Sequence, residues 1–191
     1  MKSMIISLRL LLCMTFITGI LYPCGVTLYG NLFVKDKAAG SLIQLQEKKI
    51  GSLLIGQKFS DPQYFWSRPS AIDYNSQLSG ASNLGPTSAA LKKIVEERRK
   101  SLLFDGVYSE IPQDLLFASA SGLDPHISPD AAFFQVQRIA NTRQIDVKRI
   151  NDLVESLIEL PQYGFLGDKR INVLKLNLAL DKLNNQIGKH L

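Results

Sequence analysis

Cysteine and histidine are nearly missing from this 191-residue chain, which has two of each. Both cysteines, Cys13 and Cys24, fall inside one apolar run near the N-terminus. Everything beyond that run therefore lacks the thiols of a disulfide framework or a thiolate metal site. His126 and His190 are the only histidines, and no H-E-x-x-H pattern, P-loop or strand-following G-x-G-x-x-G occurs. Without those motifs the chain does not read as a self-sufficient enzyme, and no metal site is expected. A Lys/Arg stripe is also lacking: the formal net charge is +5, and the one dense run, EERRK at 96–100, mixes both signs. Lys93 with Glu97 and Glu96 with Lys100 stand four apart, the spacing of ion pairs on a solvated helix face. That pattern excludes a nucleic-acid footprint.

Charge is absent altogether from residues 10–34, LLLCMTFITGILYPCGVTLYGNLFV. As a helix this run would reach roughly 37 Å, more than the roughly 30 Å hydrocarbon thickness of a bilayer. It is too long for the apolar region of a cleaved signal peptide, and it ends in Val34-Lys35-Asp36-Lys37 with no small-x-small site before the charges. Pro23 ahead of Cys24 does not suit lipoprotein processing either. The expectation is one retained transmembrane helix over 10–34, bent at Pro23, with Tyr29 and Phe33 at the interface. Thr15 and Gly19 are four apart and share a face on which another helix can approach closely, so they are candidates for a partner contact in the membrane. Lys2 and Arg9 in the tail 1–9 favour a cytoplasmic N-terminus and place the soluble domain 35–191 outside, although lysines also follow the span.

Periodicity supplies the rest of the fold. Residues 88–104 read as a helix with Leu91, Ile94, Val95 and Leu102 on one stripe. A second spans 129–143, burying Ala132, Phe133, Val136, Ile139 and Ala140. The cleanest stripe, Val147, Ile150, Leu153, Val154, Leu157 and Ile158, has Asp146 as cap and Pro161 as stop, so the two helices form a hairpin. KIGSLLIG and RINVLKL read as strands, the latter followed by a final helix from Asn177 to about Asn185. The expected class is α+β: one N-terminal transmembrane helix and a single soluble domain with a small sheet and about four helices. Between the first strand and the first soluble helix lies a long irregular segment dense in Ser, Asn, Gly and Pro, and segments of that length are usually functional or disordered. Its aromatics argue for order.

ASASGLDPHISP, at 118–129, gathers Ser119, Ser121, Asp124 and His126, and raises the alternative of a membrane-anchored serine hydrolase. A nucleophile elbow needs G-x-S-x-G, whereas this stretch reads A-S-A-S-G. Ser128 before Pro129 instead reads as a helix cap with proline in the first position, and LDPH as the turn entering it. A stand-alone binding module is the other alternative.

Five segments carry a resemblance: GSLLIGQKF (51–59), YFWSRPSA (64–71), YNSQLSGASNLGP (74–86), ASASGLDPHISPDAAFFQVQRIA (118–140) and VLKLNLALDKL (173–183). In this order behind one span, they resemble the C subunit of the bacterial Kdp system, the high-affinity potassium-transporting P-type ATPase. The resemblance implies an accessory subunit of the inner membrane. Its expected partners are a channel-like potassium-translocating subunit, an ATP-hydrolysing subunit and a small stabilising subunit, and it performs no hydrolysis itself. It also implies a catalytic chaperone that raises the ATP affinity of the hydrolysing subunit, with Gln135 at the place proposed to contact nucleotide. ATP would then be met only through the complex, and potassium is the transported ion. Tyr64, Trp66, Arg68, Asn75 and Asn83 are candidates for the domain's partner interface, because Trp, Tyr and Arg are enriched at hot spots and loops expose adaptable polar groups. The competing reading puts the aromatics in the core and pairs Arg68 with a carboxylate or carbonyl.

Overall fold

The computed structural model describes residues 2–45, 48–103 and 110–187. It divides into two units, one ending at Ile50 and one beginning at Gly51.

In the first unit, α1 (Lys2–Phe16), a π-helical turn (Ile17–Leu21) and α2 (Tyr22–Phe33) run on as one helix. Together Lys2–Phe33 make 32 residues, whose most apolar 18-residue window has a mean hydropathy of 2.2 and no residue buried within the chain. The helix is described from Lys2, eight residues ahead of the uncharged run, since residues 2–9 include Met4, Ile5, Ile6 and Leu8 and contain no helix breaker. Ahead of Pro23, where a bend was expected, the helix carries the π turn. Proline has no N–H and its ring collides with the carbonyl four residues back. Widening the preceding turn relieves this, and the Tyr22 N–H donates to the Ile17 carbonyl, five residues back. After Val34 come the short α3 (Lys35–Ala38) and β1 (Leu42–Leu45), which pairs with β2 (Lys48–Ser52).

The second unit holds the core. Its elements are α4 (Ala89–Leu102), α5 (Gln113–Leu116), β3 (His126–Ile127), α6 (Pro129–Arg143), α7 (Val147–Ser156), β4 (Ile171–Asn172) and α8 (Val173–Ile187). The expected helical hairpin is α6 and α7. Ser128 caps α6 by accepting the Ala131 N–H at 3.1 Å, with Pro129 following it, and Asp146 caps α7 by accepting from Lys148 at 2.7 Å. Gln144 at φ +55 turns the chain between them. Ala131, Ala132, Val136 and Ile139 of α6, Ile150 and Val154 of α7, and Leu176 and Leu180 of α8 are all buried in one cluster with Phe65. β3 and β4 lie antiparallel, Ile127 opposite Ile171. The α+β class and the single apolar helix before the domain are as expected.

Two boundaries differ. RINVLKL is strand only at Ile171 and Asn172, and the last helix begins at Val173 rather than Asn177. The reason is a cap inside the apolar run, since the Asn172 side chain accepts the Lys175 N–H at 3.1 Å and starts the helix there. KIGSLLIG leaves the strand after Ser52, where the Ser52 hydroxyl accepts the Leu54 N–H and the chain turns. Helix α4 ends at Leu102, and the last residue expected in it, Phe104, falls outside the described residues.

From Leu53 to Ser88 the chain has no helix or strand, yet it is fastened to the domain at several points. Gly56 donates to the Leu123 carbonyl at 2.8 Å and Gly80 to the Ser121 carbonyl at 3.0 Å. A Cβ on Gly56 would stand 2.6 Å from the Asp124 carbonyl oxygen, so only glycine permits that approach.

Candidate functional site

The irregular segment passes through the domain between α6 and α8, and side chains rather than strands satisfy its backbone. Asn177 of α8 accepts the Phe65 N–H at 2.8 Å and donates to the Phe65 carbonyl at 3.0 Å. Gln135 of α6 does the same for the next residue, accepting the Trp66 N–H at 2.7 Å and donating to its carbonyl at 3.3 Å. Two buried carboxamides thus stand where neighbouring strands would. The alternating pleat puts the Phe65 side chain into the core, fully buried, while the Trp66 ring faces the Arg138 guanidinium at 3.9 Å.

Arginines of α6 hold the segment before it. Arg138 donates to the carbonyls of Pro62 and Tyr64 and to Gln135 Oε1. Burial pulls its pKa down to about 10, against the raising effect of Asp61, so it stays charged at neutral pH. Arg143 donates to the Gln63 carbonyl at 2.8 Å and pairs with Asp181 of α8 at 2.8 Å, its side chain only 4% exposed. It also faces the Tyr64 ring at 4.7 Å, while the Tyr64 hydroxyl donates to Asp181. Burial, with the Asp181 charge, raises the Tyr64 pKa.

Gln135 therefore has its amide fully engaged. Its oxygen accepts from Trp66 and Arg138, and its nitrogen donates to the carbonyls of Trp66 and Ala131. With two donors and two lone pairs on a carboxamide, no capacity remains, and the residue is 2% exposed.

A second cluster lies where β3 meets β4. Arg68 pairs with Asp124 at 3.0 Å, both about one third exposed. The Asp124 carboxylate also accepts the His126 N–H. Partial burial raises its pKa, but the hydrogen bonds from His126 and Arg68 outweigh that and hold it below the ordinary value. The His126 ring stands between two carboxylates, Nδ1 3.7 Å from Asp124 and Nε2 3.8 Å from Glu159. Glu159 in turn pairs with Lys175 at 2.9 Å and Arg170 at 3.3 Å. A cavity of about 290 Å³ opens among Arg68, Asp114, Asp124, His126 and Arg170.

The serines do not join this cluster. Ser119 is buried and its N–H donates to the Pro69 carbonyl, and the Ser121 hydroxyl accepts the Leu123 N–H in a tight turn. His126 orients on carboxylates, and neither Ser119 nor Ser121 bonds to it as the nucleophile of a hydrolase would. Among the described residues no three His, Cys, Asp or Glu side chains are grouped to hold a metal ion.

The other expected site residues are scattered. Tyr64 and Trp66 are half-buried in the threaded segment, and Arg68 finds the carboxylate partner of the competing reading. Asn75 is exposed and accepts the Gln77 N–H in a turn, and Asn83 is exposed at φ +51. Thr15 and Gly19 share one strip of the apolar helix, the Gly19 Cβ position lying 3.9 Å from Thr15 Cγ2. The sequence reading passed over Asn177, Arg138 and Arg143. Their signal was present: each is polar within or beside an apolar helical stripe, where an unpaired group would be costly.

The chain matches the family model described as K+-transporting ATPase, c chain, over residues 4–182. A potassium-transporting ATPase KdpC subunit of Leptospira interrogans is 49% identical over 180 residues, 92% of each chain. That of Methylococcus capsulatus is 49% identical over 93% of this chain and 96% of its own, and that of Geotalea uraniireducens 46% identical over 96% and 100%.

Proposed function

This chain belongs to the family of the K+-transporting ATPase c chain, and from that membership we propose that it is the accessory subunit of an ATP-driven high-affinity potassium uptake complex. It is a single-pass protein of the inner membrane and a non-catalytic subunit. The observation that carries the reading is a match spanning the apolar helix and nearly the whole domain, 4–182. Its partners are the potassium-translocating subunit, the ATP-hydrolysing subunit and a small stabilising subunit, and ATP and potassium are handled through them.

The domain lies outside, with residues 1–9 cytoplasmic, because Lys2 and Arg9 hold the short tail on the cytoplasmic side. On that topology the chain raises the ATP affinity of the hydrolysing subunit by coupling across the membrane rather than by touching nucleotide. Gln135 supports this reading, since binding ATP would require releasing the Trp66 backbone and Arg138. Binding a conformation of the pump that holds ATP more tightly is sufficient, and coupling of about 1–3 kcal/mol corresponds to roughly a 5- to 150-fold change in affinity. Thr15 and Gly19 supply a close helix contact in the membrane.

The test is to delete this chain from the complex and measure potassium-stimulated ATP hydrolysis. The reading predicts loss of stimulation, restored by the full chain. Full activity without it, or a chain that purifies alone, would favour a separate binding module.

A further inference from the structure

Between α7 and α8 the chain projects a small hairpin. Glu159 and Arg170 bond both ways at its base, at 2.8 and 3.1 Å, and Gln162 and Leu166 pair further out. Tyr163 at φ +56, Gly164 at φ +83 and Gly167 at φ +91 make its turns. Ion pairs from Glu159 to Lys175 and Arg170 brace the base against α8. The hairpin carries Leu160 near its base and Tyr163, Phe165 and Leu166 toward its tip, exposed at 71, 81, 80 and 56%. No other stretch of the domain's described residues exposes four large apolar side chains within seven positions. Leaving such a cluster in water is unfavourable, and rigid aromatics rimmed by charges have the makeup of an interface centre.

Three occupants are conceivable, and the observations separate them. Glu159 and Asp168 offset Lys169 and Arg170, so the hairpin is neutral and lacks the cationic excess with which interfacial segments hold anionic lipid. A second copy would need about 800 Å² per partner, whereas four side chains of this kind offer on the order of 600 Å². A patch this small suffices when the chain is already held beside its partner by another contact, because tethering raises the effective concentration. The apolar helix provides such a tether in a membrane complex.

We infer that the 159–170 hairpin is a docking finger whose Tyr163 and Phe165 enter an apolar pocket on another subunit of the same pump. This rests on the accessory-subunit reading above.

The test uses the purified complex with Cys13→Ser and Cys24→Ser in this chain, and Phe165→Cys carrying a benzophenone maleimide. Illumination is expected to give an adduct with one other pump subunit, identified by mass, at least fivefold above the same probe at Ser156→Cys. Adducts with lipid alone, with a second copy of this chain, or no excess over Ser156 overturn the inference. In parallel, Tyr163→Ser with Phe165→Ser should leave the melting temperature of the chain within a few degrees while at least halving its retention on the tagged complex. Unchanged retention also overturns it. If the unaltered chain itself fails to co-purify with the pump, the accessory-subunit reading falls and this inference with it; the other negative outcomes remove the docking finger alone.

Discussion

Gln135 and Asn177 do equivalent work one residue apart on the same threaded segment, and this gives a way to separate structure from nucleotide chemistry. Replacing either by alanine leaves a buried N–H and C=O without partners, which costs about 2–4 kcal/mol. Both Gln135→Ala and Asn177→Ala should lower the melting temperature of the chain by similar amounts. At temperatures where each remains folded, neither should change the KM for ATP of the assembled complex more than the other. A selective rise in KM for Gln135→Ala alone would restore direct nucleotide contact. Glu159 sets a second prediction. Partial burial raises its pKa, but hydrogen bonds from Lys175 and Arg170 outweigh this and hold it below its ordinary 4.5. A depressed carboxylate contributes stability above the unfolded value and loses it as pH falls through the folded one. The Glu159 contribution should therefore be full at pH 6 and fade below about 4.5. Glu159→Gln should be less stable at pH 6 and converge on the wild type as the pH approaches 3, read by thermal melts across that range. These residues also mark where sequence reasoning stopped. Gln135 was singled out through a resemblance, whereas its partner Trp66 lies 69 positions away, and no local pattern announces so distant a bond. Arg68 was legible as a paired cation, but only the fold supplies Asp124 as its partner.

Elements were legible where local signals agree. Helices α6 and α7 appear with their caps, since Ser128, Pro129 and Asp146 each have a local mechanism that tertiary contacts did not override. Ser128→Ala should cost about 1–2 kcal/mol, because it removes the cap of α6 and a hydrogen bond to Asp114, and a denaturant titration of the chain measures it. RINVLKL was misread because Ile, Val and Leu in an alternating run suit strand and helix alike, and a single asparagine cap decided between them. Pro23 was read as a bend, whereas what the helix shows ahead of it is a π turn over Ile17–Leu21, which no sequence pattern announces. An extra residue in that turn rotates everything beyond it by about 100° relative to a regular helix. Pro23→Ala, by allowing the regular helix, should turn Thr15 and Gly19 away from the face presented by α2 and reduce recovery of the chain with the complex. Unchanged recovery would mean that the π turn matters only within the helix.

At the scale of the whole molecule, buried polar side chains of the domain hold its own irregular segment, and among the described residues its densest group of exposed large apolar side chains is on the 159–170 hairpin. Whether Gln135 can meet ATP at all depends on which side of the membrane the domain lies. Ser156 is exposed at the end of α7, and the domain has no native cysteine. The decisive measurement places Ser156→Cys in a Cys13→Ser, Cys24→Ser chain and treats intact spheroplasts with a membrane-impermeant thiol reagent. Labelling before the membrane is opened is the predicted result and separates Gln135 from ATP by a bilayer. Labelling only after the membrane is opened, with the chain shown to be folded, would put the domain with the nucleotide and contradict the account.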